Sequence, residues 1–373
     1  MSDVRSDGTF LVRGYALPDL VHNLQFEEMI HLLLRGHLPS REELASLKAE
    51  IRNNQMITKN TTRLLEDLAS HQIPPIDALR LAIGRLIVED PAWDKNDKVS
   101  LLHHSTKLVA QAPTIVATYF RLLEDLPAVR PKDSGDFVSN LAYMLSGESS
   151  EPAVVEGLTT YLVTVAENSL NASTFTARII ASTGGDLSSA MVGAIGALKG
   201  PLHGGAPLFT LQQIQEILRS GVELGQYVRE KVTQKELMMG FGHRIFKTTD
   251  PRAPLLLEAA RRVVARQKQN STTKLFYERA VELEHVIVRT LREVRPDLPL
   301  HTNIEFGTAV LLHVLGFRED LFPALFAVGR LPGWCAHVME QKRTNRLFTP
   351  DAIYVGPQYR PFIHISKRSE EGE

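Results

Sequence analysis

Two histidines sit in glycine-framed segments, each after a long apolar stretch with helical spacing. His203 lies in Gly200-Pro201-Leu202-His203-Gly204-Gly205-Ala206, and His243 in Gly240-Phe241-Gly242-His243-Arg244. Imidazole is the side chain best poised to exchange protons near neutral pH. Two placed this way point to a site that handles protons at two positions of a substrate. For His203 the residues alone leave two readings. Pro201 stops the preceding helix and leaves orphan carbonyls at its end, so the imidazole either caps that end or donates to an oxyanion developing on a ligand. Gly204 and Gly205 would permit close approach by a ligand or a neighbouring chain.

Around His243, Gly240 and Gly242 would leave backbone N–H groups facing a ligand, with Lys247 and Arg252 supplying positive charge. A guanidinium fork suits both oxygens of a carboxylate, whereas lysine suits a phosphate as a point charge. The alternative for Gly-Phe-Gly-His is a plain structural turn. An acid comes from Leu298-Pro299-Leu300-His301-Thr302-Asn303-Ile304-Glu305-Phe306-Gly307, where Glu305 opens an apolar helix. A glutamate there either complements the helix dipole or serves a site. His301 and His337 read equally well as satisfied polar groups. The thirteen histidines show no HExxH motif, no Cys/His cluster and no other metal-ligand spacing, so no metal is expected.

The elements that must hold these residues are almost all helical. Apolar spacing predicts helices over Phe26–Arg35, capped by Gly36, and over Leu101–Leu123, Ala153–Ala166 and Ala172–Thr183. Leu187–Lys199 follows an Asp186 N-cap, and its small residues imply a helix packed deep in the body or against a second subunit. Leu211–Ser220, Pro254–Gln267, Thr273–Arg292 and Glu305–Leu315 come next, then Leu321–Val328 and Gly333–Lys342 as separate helices. Thr9–Val12 is the best short strand candidate. No linker divides the chain, so two domains, if present, must be interleaved.

Composition agrees with a globular protein: 373 residues, 43% hydrophobic and 23% charged, with a formal net charge of -1. There is no global electrostatic case for nucleic acid or an anionic membrane. The single cysteine, Cys335, excludes an internal disulfide framework and reads as a small buried hydrophobe. With no apolar leader and no membrane-length apolar run, the cytoplasm is the expected compartment.

Taken together, these segments resemble the citrate synthase family in its short bacterial and archaeal form. The resemblance runs from Arg13-Gly14-Tyr15 through Leu170-Asn171-Ala172-Ser173-Thr174-Phe175, Lys199 to Ala206, Gly240 to Arg252 and Thr302 to Phe306. It continues to Arg330, Gly333-Trp334 and Ala336-His337. It implies an all-α homodimer with a large domain over 1–205 and 317–373 and a smaller inserted lid over 206–316. The implied reaction is condensation of an acyl-CoA with a 2-oxo acid, then thioester hydrolysis, with acyl-CoA as co-substrate and no metal or permanently bound cofactor.

By this resemblance His203 would hydrogen-bond the thioester oxygen, Glu305 would take the α-proton, and His243 would polarise and protonate the keto oxygen. Arg252 and Arg330 would hold the oxo acid's carboxylates. The backbone of Met239, Gly240, Phe241 and Gly242 would receive the adenine end of CoA, with Lys247 near its phosphates.

Three positions depart from the family pattern. The base is normally aspartate and is here Glu305. Asn168 stands where a substrate-binding histidine is usual, and Thr349 replaces an arginine usually supplied by the partner subunit. Fewer charged groups around the oxo acid imply either an altered 2-oxo acid preference or weak citrate synthase activity. They also fit a second class of function, a silent homologue that binds CoA, a metabolite or a partner. Citrate and 2-methylcitrate synthesis are not separable, because acetyl-CoA and propionyl-CoA differ by one methylene, about 1–3 kcal/mol in a pocket.

Overall fold

The computed structural model describes residues 1–90, 95–234, 236–243, 245–246, 248–266, 271–294, 296 and 300–368. Within them the chain forms sixteen α-helices and one small antiparallel ribbon, Ser2–Val4, Phe10–Val12 and Tyr15–Ala16, paired in that order. The fold is all-α. The expected strand is the middle of the ribbon; Phe10 and Val12 point into the core on alternate positions. Its register sets Ser2 opposite Val12 and Leu11 opposite Ala16.

Helix starts follow side-chain chemistry. Asp186 accepts from the Ser189 N–H at 2.9 Å and opens Leu187–Leu198, while Asn171 accepts from Thr174 N at 3.1 Å and opens Ala172–Ser182. Gly36 closes Phe26–Arg35 in the left-handed conformation, at φ 94°. Helix Leu187–Leu198 packs one face on Ala172–Ser182 and leaves Gly196 open on the other. Leu17–Asn23, a helix of seven residues, was too short for periodicity to reveal. The helix expected from Leu211 begins at Ala206, because Pro207 is favourable in a first turn where its missing N–H costs nothing.

The last two expected helices are one, Phe322–Arg343, with Pro332 inside it. Proline removes one helical hydrogen bond, but this helix is buried along nearly its whole length, so packing outweighs the local preference. Gly329 and Gly333 let it lie directly against the end of helix Pro152–Val165. A Cβ on Gly333 would overlap the Ala166 carbonyl oxygen and stand 2.9 Å from Glu167 Oε2. Gly333→Ala is therefore expected to destabilise the protein by about 1–3 kcal/mol or more, read as a lower midpoint in chemical denaturation at unchanged slope.

Nearly all of the buried apolar residues form one continuous cluster. Cys335 lies inside it, where burial pushes its thiol up to about 12. No helix among the described residues is long and apolar enough to cross a membrane.

Candidate active site

His203 sits in the turn between helices Leu187–Leu198 and Ala206–Arg219. The orphan carbonyl of Leu198 is satisfied by the Gly204 N–H at 2.7 Å, so the imidazole is not the cap. The close neighbour that requires Gly204 is the chain itself: a Cβ there would lie 2.7 Å from Leu198 Cγ. The histidine instead reaches helix Ala172–Ser182, with Nε2 at 2.8 Å from Ser173 Oγ. Ser173 also accepts from Trp334 Nε1–H at 3.2 Å and lies 2.8 Å from Asn171 Oδ1. Burial, with Arg330 adding to it, pulls the His203 pKa down to about 4, so the ring is neutral at pH 7. Ser173 has one proton to give. Given to Nε2, it leaves the His203 proton on Nδ1; given to Asn171, it leaves that proton on Nε2.

His243 is tied to its own loop. Its Nδ1 accepts the Ile245 and Phe246 N–H groups at 3.0 and 3.1 Å, which places the proton of the neutral ring on Nε2. Burial, then Arg252, lowers its pKa against the opposing pull of Asp250. Arg252 Nη2 lies 3.4 Å from that Nε2. Two donors side by side with no acceptor between them converge on a point that suits a carbonyl or carboxylate oxygen. Arg252 is held by Asp250, from Nε to Oδ1 at 2.9 Å and from Nη2 to Oδ2 at 2.8 Å.

The segment that carries His243 is clamped to the start of helix Ile304–Val314. Phe241 bridges Thr302, Gly242 N–H donates to His301 O at 2.8 Å, and Asn303 N–H donates to Gly240 O at 2.9 Å. Gly240 and Gly242 are both left-handed, at φ 85°, a conformation that favours glycine. The expectation of free N–H groups is corrected at two positions, since Gly242 donates to His301 and Met239 N–H donates to Gln213 Oε1 at 2.8 Å. Asn303 caps the helix through Glu305 N–H at 3.0 Å and donates to Gly242 O at 2.8 Å. Asp250 Oδ2 accepts from Ile304 N–H at 3.1 Å, so one carboxylate orients both Arg252 and the helix of Glu305.

Glu305 thus projects from a helix end fixed to the His243 loop. Its Oε2 is buried without a hydrogen-bond partner among the described residues. Burial raises its pKa to about 7, against Arg252 and Arg330, with Asp250 adding to the rise. A carboxyl group that titrates near neutrality is a competent proton acceptor. Arg330 is 1% exposed; its Nε donates to Val165 O, and Nη1 and Nη2 have no partner among the described residues.

Of the other expected residues, Asn168 has a buried Oδ1 without a partner among the described residues. Thr349 is exposed beyond the last long helix. Its neighbour Phe348 bonds Ser182 Oγ at 3.2 Å, at the end of helix Ala172–Ser182 remote from Asn171. Lys247 lies outside the described residues. Ser173, Asp250 and Asn303 were not singled out from sequence; only the Asn at an N-cap two residues before Glu305 carried a usable signal. His337 is a satisfied polar group, with Nε2 at 2.9 Å from Glu167 Oε1. One histidine and acid group with metal-compatible spacing does occur among the described residues: His31, His37 and Glu43. Loop geometry, invisible to motif spacing, brings these three together. None belongs to the site above, and Glu43 is already engaged by His37 Nε2 at 3.0 Å and Ser40 N–H at 2.8 Å.

A proton acceptor poised near neutrality, on a helix end clamped to the loop of one neutral imidazole and sharing its Arg330 neighbour with a second, is the equipment of an enzyme that forms an enol and adds it to a carbonyl, a condensing acyltransferase. The family model for the citrate synthase C-terminal domain matches residues 1–351. Citrate synthase 2 of Bacillus subtilis is 35% identical over 97% of this chain and 94% of its own. 2-Methylcitrate synthase 2 of Corynebacterium glutamicum is 34% identical over 95% and 91%. The citrate synthase structure from Pyrobaculum aerophilum superposes at a TM-score of 0.87 with 30% identity, covering 99% of this chain and 92% of that one. That from Thermoplasma acidophilum, a ternary complex with carboxymethyl coenzyme A and oxaloacetate, gives 0.89 at 25%, covering 99% and 96%. The chain belongs to the citrate synthase family and is a condensing enzyme of that type; a silent homologue is not favoured.

Proposed function

We propose that this enzyme condenses acetyl-CoA with oxaloacetate and water to give citrate and CoA, and accepts propionyl-CoA to give 2-methylcitrate. The observation that carries the reading is a set of donors with capacity to spare: both Nη groups of Arg330, which have no partner among the described residues, and His243 Nε2–H beside Arg252 Nη2, which gives one N–H to Asp250 and has a second to offer. Buried donors are costly to leave unpaired, and a 2-oxo dicarboxylate supplies the missing oxygens. Glu305 removes the α-proton of the thioester. Ser173 gives its proton to His203 Nε2, leaving Nδ1–H to donate to the thioester oxygen, because only that tautomer stabilises an enol. The enol carbon attacks the keto carbon, and His243 delivers its Nε2 proton to the oxygen that becomes the hydroxyl. Water then cleaves the thioester and frees the CoA thiol.

The 206–316 segment serves as the lid, and the backbone of Gly240 and Phe241 with Lys247 takes the nucleotide end of CoA, Met239 N–H being already engaged by Gln213. Asn168 donates where a cation is usual, weakening the hold on the distal carboxylate. No permanently bound cofactor is needed. The working unit is a homodimer. After the last long helix the chain runs extended with Ile353 90%, Val355 92% and Tyr359 92% exposed, apolar area that a second copy would cover. Thr349 of one copy would then face the other copy's site. A lone buried thiol suits the cytoplasm.

Release of free thiol tests this. Incubation with oxaloacetate is expected to release CoA from both acyl-CoAs, with specificity constants within about 200-fold of each other. No release with any member of a 2-oxo acid panel, despite acyl-CoA binding, would establish the silent homologue instead.

A further inference from the structure

Tyr161 lies on helix Pro152–Val165, 0% exposed, and its hydroxyl has no hydrogen-bond partner among the described residues. Its neighbours one turn away fix what it faces, since residues four apart share a helix face. Gly157, one turn before, packs where the helix of Glu305 meets helix Arg252–Ala265; a Cβ there would meet Leu315 Cδ2 at 3.1 Å, Val263 Cγ2 at 3.2 Å and Leu311 Cδ1 at 3.6 Å. Val165, one turn after, accepts from Arg330 Nε through its carbonyl and packs against Gly329. Tyr161 therefore faces the seam between the helix that carries Glu305 and the helix that carries Arg330. In that seam Glu305 Oε2 is a buried acceptor without a donor, and Thr308 Oγ1, one turn beyond Glu305, is also unpartnered.

We propose that Tyr161 is a positioning residue for Glu305, its hydroxyl donating to the carboxylate when the site closes on its substrates. This rests on Glu305 acting as the base. A glutamate has one more rotatable bond than an aspartate, so a base of this length needs a donor to fix its reactive oxygen. Burial, with the Glu305 charge adding to it and Arg330 opposing, pushes the phenol well above its ordinary range. It is therefore a neutral donor across the working pH range. The other charged groups facing Glu305 are Asp250, from the His243 loop, Arg252, from the helix that follows it, and Arg330. Tyr161→Phe leaves all three in place.

A donor to the charged form of a carboxyl group lowers its pKa, so removing it raises that pKa. In Tyr161→Phe the acidic limb of the kcat profile is expected to move to higher pH by about half a unit or more, with kcat reduced about 10-fold and the acyl-CoA KM unchanged. A limb that stays in place, whatever happens to kcat or Tm, overturns the proposal. Glu305→Gln separates the two levels. If it is inactive while the Tyr161→Phe limb has not moved, only this inference fails. If it retains turnover, the base assignment fails and takes this inference with it.

Discussion

Glu305→Gln is expected to lower the rate of condensation by about 10²–10⁴-fold, the range that a positioned acid or base contributes, while acyl-CoA still binds. Glutamine keeps the length and most of the shape of glutamate but cannot accept the α-proton. The Asn303 cap and the Asp250 bond to Ile304 involve backbone N–H groups and survive the change. Wild-type kcat/KM should fall as pH drops below about 7, where Glu305 becomes protonated. The stability consequence has the opposite sign. A carboxyl group whose folded pKa is raised favours folding in its neutral form, and that contribution is lost as pH rises from its ordinary value toward 7. Glu305→Gln should therefore be more stable than wild type at pH 8, with the advantage vanishing near pH 4. Kinetics and a pH series of thermal melts measure the two effects independently. Turnover within a few-fold of wild type would remove Glu305 from the reaction.

The sequence made the helical class and most helix positions legible because amphipathic periodicity, N-cap side chains and Gly36 are local signals. It misled where tertiary packing outranks local preference. Pro332 reads as a break but lies in a helix buried along nearly its whole length. It also misassigned glycines: Gly204 serves contact with Leu198, and the Gly242 N–H serves a strand-like clamp to His301. The residues proposed to touch the chemistry, His203, His243, Glu305, Arg252 and Arg330, were readable as an ordered set through the family resemblance. Those that orient them were not. Ser173 lies 30 positions from His203, and Asp250 reaches Ile304 across 54. Such pairings exist only after the helices pack, so no local pattern announces them.

Arg330→Leu should weaken 2-oxo acid binding by about 10²–10⁴-fold, the equivalent of two charge-assisted hydrogen bonds at about 1.5–3 kcal/mol each. The argument starts from an energetic debt. Burial drags the Arg330 guanidinium down to about 10, against the opposing pull of Glu167, yet it stays a cation at pH 7. Among the described residues its only hydrogen bond is from Nε to Val165 O, and the Phe326 ring 5.0 Å away supplies a modest electrostatic contact. A buried cation with two unpaired nitrogens is unfavourable in the free protein, so the fold holds it against its own stability. Glu167 makes no hydrogen bond to it: Oε1 is occupied by His337 Nε2, Ser2 Oγ and the Ser169 N–H, at 2.9, 2.9 and 2.8 Å, and Oε2 is buried without a partner among the described residues. Removing the cation takes a favourable charge from Glu167 but leaves it its three Oε1 donors and relieves the buried guanidinium, and the ligand-free variant should fold. An anion that binds only the folded state stabilises it by mass action, about 2.7 kcal/mol at 100 times Kd. Oxaloacetate should thus raise the wild-type Tm and leave that of Arg330→Leu unchanged at the same concentration, while CoA shifts both equally. A variant that still responds to oxaloacetate would place its carboxylates elsewhere, on Arg252 alone.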